Sequence, residues 1–159
     1  MSTPTYDLLE SVTLATAASS VTFSSIDQSY GDLILVVVQF QAGSSSSIRF
    51  NSDSGNNYYF VGAAGNGSST ISYNSSGSFL NPNYYTNSGA TNPATYTYQI
   101  FDYAVTDKQK SVLVRTDQSD STSEMWAGRW DSTAAISSIL VGNGTFASGS
   151  TLNLYGVAK

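Results

Sequence analysis

Short runs in which apolar and polar residues alternate recur along this chain, and clusters of Gly, Ser, Asn and Asp separate them. A period of two puts successive side chains on opposite faces of an extended strand, so each run buries a face only by joining a sheet. Glu10–Thr16 alternates with Val12 and Leu14 on one face, and Ser20–Ser25 repeats the pattern with Val21 and Phe23. The short AAS between them predicts a hairpin. Asp32–Phe40 contains the unbroken run LILVVV, the pattern of a strand covered on both faces. Thr95–Ala104, Lys110–Thr116, Ser123–Trp130, Ala134–Gly142 and Gly149–Lys159 follow across short polar turns. Regular spacing of this kind predicts one all-β domain, a sandwich or a barrel. From Gly62 to Pro93 the alternation dissolves into Gly, Ser and Asn with scattered aromatics, so long loops around one or two short strands are expected there. STAAISSI, from Ser132, leaves room for one helical turn.

The 159 residues, 40% of them hydrophobic, are enough for one domain with a substantial core. Charged residues are only 11%, against roughly 25% in ordinary soluble domains. Ser, Thr, Asn, Gly and Tyr take their place and give a polar but neutral surface, suited to burial in a large assembly or to a hard extracellular life better than to a crowded cytosol. The net charge is −5 and the six Lys and Arg are scattered, so no basic footprint for nucleic acid or an anionic membrane is expected. Without cysteine there is no disulfide, thiol nucleophile or thiolate metal site. Without histidine the commonest general base and transition-metal ligand are missing too. The N-terminal MSTPTYDLLE lacks the pattern of a signal peptide, and LILVVV is too short to span a bilayer. Synthesis in a cytoplasm, with no cofactor, is the expectation.

FNSDSGNNYYF, from Phe50 to Phe60, spaces Asn51, Asp53, Gly55 and Asn57 like the oxygen ligands of a calcium loop. Calcium takes six to eight oxygens, several of them carboxylate, and here Asp53 is the one carboxylate. Asn, Asp and Gly also bond back to their own backbone and tolerate positive φ, so a loop joining two strands explains every residue without a metal. Among the acids, Asp102 and Glu124 lie in strand-like runs and form the one pair worth testing for glycosidase-type chemistry, while Asp107, Asp117, Asp120 and Asp131 sit in polar turns or beside them. GAAGNG at Gly62–Gly67 lacks the helix and lysine of a phosphate loop, and GNGTF at Gly142–Phe146 reads as a hairpin turn.

Aromatics are 13% of the chain. Trp126 and Trp130, four residues apart, share a strand face and suit a core, a subunit contact or a sugar platform. The doublets Tyr58–Tyr59 and Tyr84–Tyr85 send their two rings to opposite faces, which leaves one of each pair for an interface or a glycan. These four tyrosines are the candidate binding residues.

Three segments taken together carry a family resemblance. They are TYDLLESVTLATAASSVTFSSIDQSYGDLILVV near the start, IRFNSDSGNNYYFVG with IFDYAVTDKQKSVLVR in the middle, and AISSILVGNGTFASGSTLNLYGVAK at the end. The arrangement resembles small structural and fibre-type proteins of tailed bacteriophages, especially phages of aquatic bacteria. The closing F-x-x-GS-T-x-x-LYG is its most specific part, carried by Phe146, Gly149, Ser150, Thr151, Leu154, Tyr155 and Gly156. The resemblance implies a single-domain antiparallel β-sandwich, jelly-roll-like in type, and a non-enzymatic virion protein: a capsid decoration or head-surface component, or else a tail-associated or fibre module that binds host glycans. Its partners would be the major capsid or tail protein and further copies of itself, for instance in a trimer. A last strand ending LYGVAK suits closure against the N-terminal strand.

Overall fold

The computed structural model describes residues 4–40, 46–82, 93–118, 122–142 and 144–159. Its strands are β1 (Tyr6–Thr13), β2 (Val21–Ser24), β3 (Asp32–Gln39), β4 (Ser47–Phe50), β5 (Tyr58–Gly65), β6 (Thr70–Gly77), β7 (Ala94–Ile100), β8 (Lys110–Gln118), β9 (Thr122–Trp130), β10 (Ser138–Gly142) and β11 (Thr151–Val157). Among the described residues there is no helix, so the turn allowed for STAAISSI does not form. Eight strands make one antiparallel sheet in the order β1-β11-β3-β7-β8-β9-β5-β6, and three make a second in the order β2-β10-β4. The chain is an all-β sandwich, divided unevenly between its layers.

Alternation decides which side chains meet between the layers. Leu33, Leu35 and Val37 on β3 point inward, as do Tyr96, Tyr98 and Ile100 on β7 and Trp126 and Trp130 on β9. They close on Phe23 of β2, Ile48 and Phe50 of β4, and Ile139 and Val141 of β10. Both tryptophans are core residues, at most 2% exposed. The last strand pairs with the first as expected, Tyr6 opposite Val157 and Thr13 opposite Thr151.

Three local expectations are corrected. Glu10–Thr16 and Ser20–Ser25 do not form a hairpin. β1 pairs with β11 in the large sheet, while β2 pairs with β10 in the small one, and the chain between them crosses layers, tied by the Ala18–Phe146 bridge. GNGTF joins β10 and β11, which lie in different sheets, so it is a crossing and not a hairpin turn; Asn143 within it lies outside the described residues. β3 is covered on one face only, since Ile34, Val36 and Val38 on the other side are half-buried. Of the stretch from Gly62 to Pro93, residues 83–92 lie outside the described residues, and the part up to Pro82 is more regular than its composition suggests. β5 runs on to Gly65, Asn66 Oδ1 accepts from the Ser68 and Ser69 amides to make the turn, and β6 returns over eight residues.

Phe146, Ser150, Leu154 and Gly156 of the closing motif serve packing. Phe146 is fully buried, the Phe40 amide donates to Ser150 Oγ at 3.0 Å, and Leu154 lies in the core. The Tyr30 ring lies over Gly156 so closely that a Cβ there would stand 2.5 Å from it. A side chain at 156 would have to evict the ring.

Candidate interaction surface

Asn51 to Asn57 forms the corner where the chain passes from β4 in the small sheet to β5 in the large one. Asn51 and Ser52 both take the left-handed conformation, at φ 49° and 58°. Asn51 Oδ1 accepts from the Ser137 and Ser138 amides, and its Nδ2 donates to the Ala135 carbonyl at 2.8 Å. The Asp53 carboxylate accepts from Asn57 Nδ2 at 2.9 Å, the Gly55 amide at 2.9 Å and the Trp130 indole N–H at 2.7 Å. The Asn57 and Trp130 bonds, in that order, hold the Asp53 carboxyl below its ordinary range. The spacing that suggested calcium ligands is thus the spacing of a loop joining two strands, with N–H donors around its carboxylate. Among the described residues no three acids cluster as a metal site.

Tyr58 and Tyr59 part as a strand requires. Tyr58 is fully buried between Phe50 and Trp130, with its ring stacked on the indole at 6.4 Å. Its hydroxyl accepts from the Phe50 amide at 2.9 Å, and burial pushes its pKa up to about 12. Tyr58 is therefore a core residue and cannot touch a partner. Tyr59 is 41% exposed on the outer face of the large sheet, where the Arg129 guanidinium lies 5.0 Å from its ring centre. Tyr84 and Tyr85 lie outside the described residues.

The candidate acid pair is split. Asp102 sits in the turn after β7 at φ 49°, ion-paired with Lys108 at 2.7 Å. Glu124 is buried on β9 and accepts from the Trp126 indole at 2.8 Å. Phe101 bonds across to Ser111, at the start of β8, whereas Glu124 stands opposite Thr116, near its end. At about 3.3 Å per residue the two carboxyls are on the order of 20 Å apart, well outside the 5–9.5 Å that glycosidases use.

Sequence reasoning missed Lys110, although it begins the inward-facing series Lys110, Val112, Val114 and Thr116. It is completely buried, and its ammonium donates to the carbonyls of Lys108 at 2.9 Å and Thr133 at 3.1 Å. Desolvation lowers its pKa, so the stability penalty of keeping it charged is fully present at neutral pH and eases only as pH rises through that lowered value. Lys110→Met removes the charge but orphans two carbonyls, and a net loss of about 1–3 kcal/mol is expected in urea melts at pH 7.

The outer face of the large sheet is the broadest surface without a covering layer among the described residues. One register row crosses the whole sheet through Leu8, Tyr155, Ile34, Gln99, Leu113, Ala127, Val61 and Asn74. Val61 is 57% exposed, and Met125 and Leu8 are each 56% exposed. Apart from Tyr59, none of these was a sequence candidate. The signal was the LILVVV run, whose second face carries Ile34, Val36 and Val38.

No family model matches this chain, and no curated protein matches it. Among solved structures it is similar to the galectin LEC-6 of Caenorhabditis elegans, with 11% identity, 100% of this chain and 99% of that one covered, and a TM-score of 0.41. It is also similar to an exo-inulinase from Aspergillus awamori, with 16% identity and a TM-score of 0.43; the match covers 96% of this chain but 29% of the enzyme. Domain 4 of the arabinanase AbnA from Geobacillus stearothermophilus follows at 12% identity and a TM-score of 0.39, with 85% of this chain and 65% of that one covered. Superpositions this loose say nothing about ligand or activity.

Proposed function

We propose that the chain is a non-catalytic structural component of a bacteriophage virion, a capsid decoration or head-surface protein made in the host cytoplasm and released with the particle. The observation that carries this reading is the outer face of the large sheet, a broad and nearly neutral surface with exposed Val61, Met125, Leu8 and Tyr59. Contact of that face with the capsid lattice, repeated at many equivalent positions, adds modest energies into a large total. The packing roles of the closing motif agree with a structural part, and the separation of Asp102 from Glu124 removes the one acid pair the sequence offered. Labelled antibody on intact particles tests the location: label over the whole head is expected, and label confined to the tail tip or absent contradicts it.

A tail-associated module that binds host glycans is the second reading. It is favoured by an open groove of about 470 Å³ between β7, β8 and β9, with Thr95, Thr97, Arg115, Asp117, Ser123 and Met125 among its walls. Hydroxyls, a guanidinium and a carboxylate there match the hydrogen-bonding edge of a saccharide. On a glycan array this reading expects a hit that Arg115→Ala weakens, whereas decoration expects none.

A further inference from the structure

We propose that β6 is a self-association edge, along which two copies of the chain pair antiparallel about a twofold axis and fuse their large sheets into one. Among the described residues four strands end the two sheets: β1 and β6 in the large one, β2 and β4 in the small one. A terminal strand presents a row of unpaired N–H and C=O groups, which is a template for another strand unless something blunts it. Three of the four are blunted. β1 is broken by a bulge between Leu8 and Glu10 and carries Asp7 and Glu10. β2 and β4 have four residues each, and β4 is bridged on its free side, where the Ile48 amide bonds to the Leu80 carbonyl and the Leu80 amide to the Ile48 carbonyl, both at 3.0 Å.

Among the described residues β6 has none of these devices. Its sequence TISYNSSG holds no charge and no proline, and it pairs with β5 from Thr70 to Gly77 without a break in register. Beyond Gly77 the chain turns away to meet Ile48, so among the described residues no strand lies along its far side. The occupant we assign is a second copy. Copies with a net charge of −5 repel one another, and an eight-residue edge without charge is where they approach at least cost. Antiparallel pairing centred on Asn74 sets Ser72 of one copy opposite Ser76 of the other, and such hydroxyl pairs are favourable across strands. Tyr59 and Val61, one strand inward and exposed, extend the contact along the outer face. The pairing does not depend on the virion reading, since the free chain carries the same edge.

Sedimentation velocity on the full chain tests it. A concentration-dependent monomer–dimer equilibrium is expected. Ser72→Lys with Ser76→Lys, both exposed positions, weakens the dimer at least tenfold while the far-UV spectrum stays unchanged. Mixing that variant with Ser72→Glu/Ser76→Glu restores a dimer. The control pair Ser11→Lys/Thr13→Lys on the β1 edge leaves self-association intact. Because the chain has no cysteine, Asn74→Cys also gives a clean readout, with oxidation linking two copies. A chain that stays monomeric at every concentration overturns the proposal. So does a dimer indifferent to charge on β6, or one lost equally through the β1 pair.

Discussion

Gly62→Val is expected to cost about 3 kcal/mol of folding stability or more, the upper part of the range for forcing bulk into a packed core. Gly62 stands opposite Trp126 across the β5–β9 ladder. The indole fills the space that a side chain at 62 would need, and a Cβ there would lie 2.4 Å from two ring carbons and 2.8 Å from the Met125 carbonyl oxygen. Backbone on one side leaves the ring as the only group able to give way. The ring is itself held edge-on by Phe60 and Tyr73, each with its centre 5.6 Å away. Gly77→Ala on the neighbouring strand is the control. Nothing lies within 4 Å of a Cβ at that position, so a gain of about 0.5 kcal/mol from reduced unfolded-state freedom is expected. Urea midpoints of the two variants, moving in opposite directions, separate the packing account from a general intolerance of side chains in this sheet.

Trp130→Ala comes next, at about 3–5 kcal/mol, because it empties the centre of the corner at which β4 becomes β5. The indole lies 5.5 Å from the Phe50 ring, stacks on Tyr58, and donates to Asp53. Trp130→Phe keeps much of the volume and removes the donor, so its smaller loss, about 1–2 kcal/mol, measures the hydrogen bond. The two variants also differ from the parent in acid. Asp53 titrates below its unfolded value, so its share of stability is complete above the ordinary carboxyl range and is lost as pH falls through the lower folded value. With the indole donor gone the folded value rises toward the unfolded one. The stability curve of Trp130→Phe is therefore expected to be flatter than the parent's between pH 5 and 2, as about pKa 4 is approached and passed.

How much of this was legible in the chain depended on how well each strand alternates. β3 and β7 place large apolar residues at successive inward positions, β8, β9 and β11 carry them at Val112 and Val114, Trp126 and Trp130, and Leu152 and Leu154, and the sandwich follows from them. β6 could not be seen, because Thr70–Gly77 lies at an exposed edge, where Ser, Asn and Thr satisfy both faces and no period survives. Layer assignment was equally hidden. β1 and β2 look alike in sequence, yet the choice of sheet rests on long-range partners, β11 and β10, that no local pattern specifies. At the site, the doublet rule separated Tyr58 from Tyr59 but could not say which faced the core. That was decided by the register with β9, which sets Tyr58 beside Trp130 and Tyr59 beside Arg129. The alternation of Asn51, Asp53 and Asn57 was real, but its reason lay far along the chain, in Trp130 and the amides of Ser137 and Ser138.

A cryo-electron-microscopy map of the assembled particle bears most directly on the claim that this sandwich exists to make contacts. The account predicts copies of the domain at many symmetry-related positions, with the face bearing Tyr59, Val61 and Met125 laid against neighbouring protein. Copies whose large-sheet outer face is bare to solvent, or a particle in which the domain is missing, would contradict it.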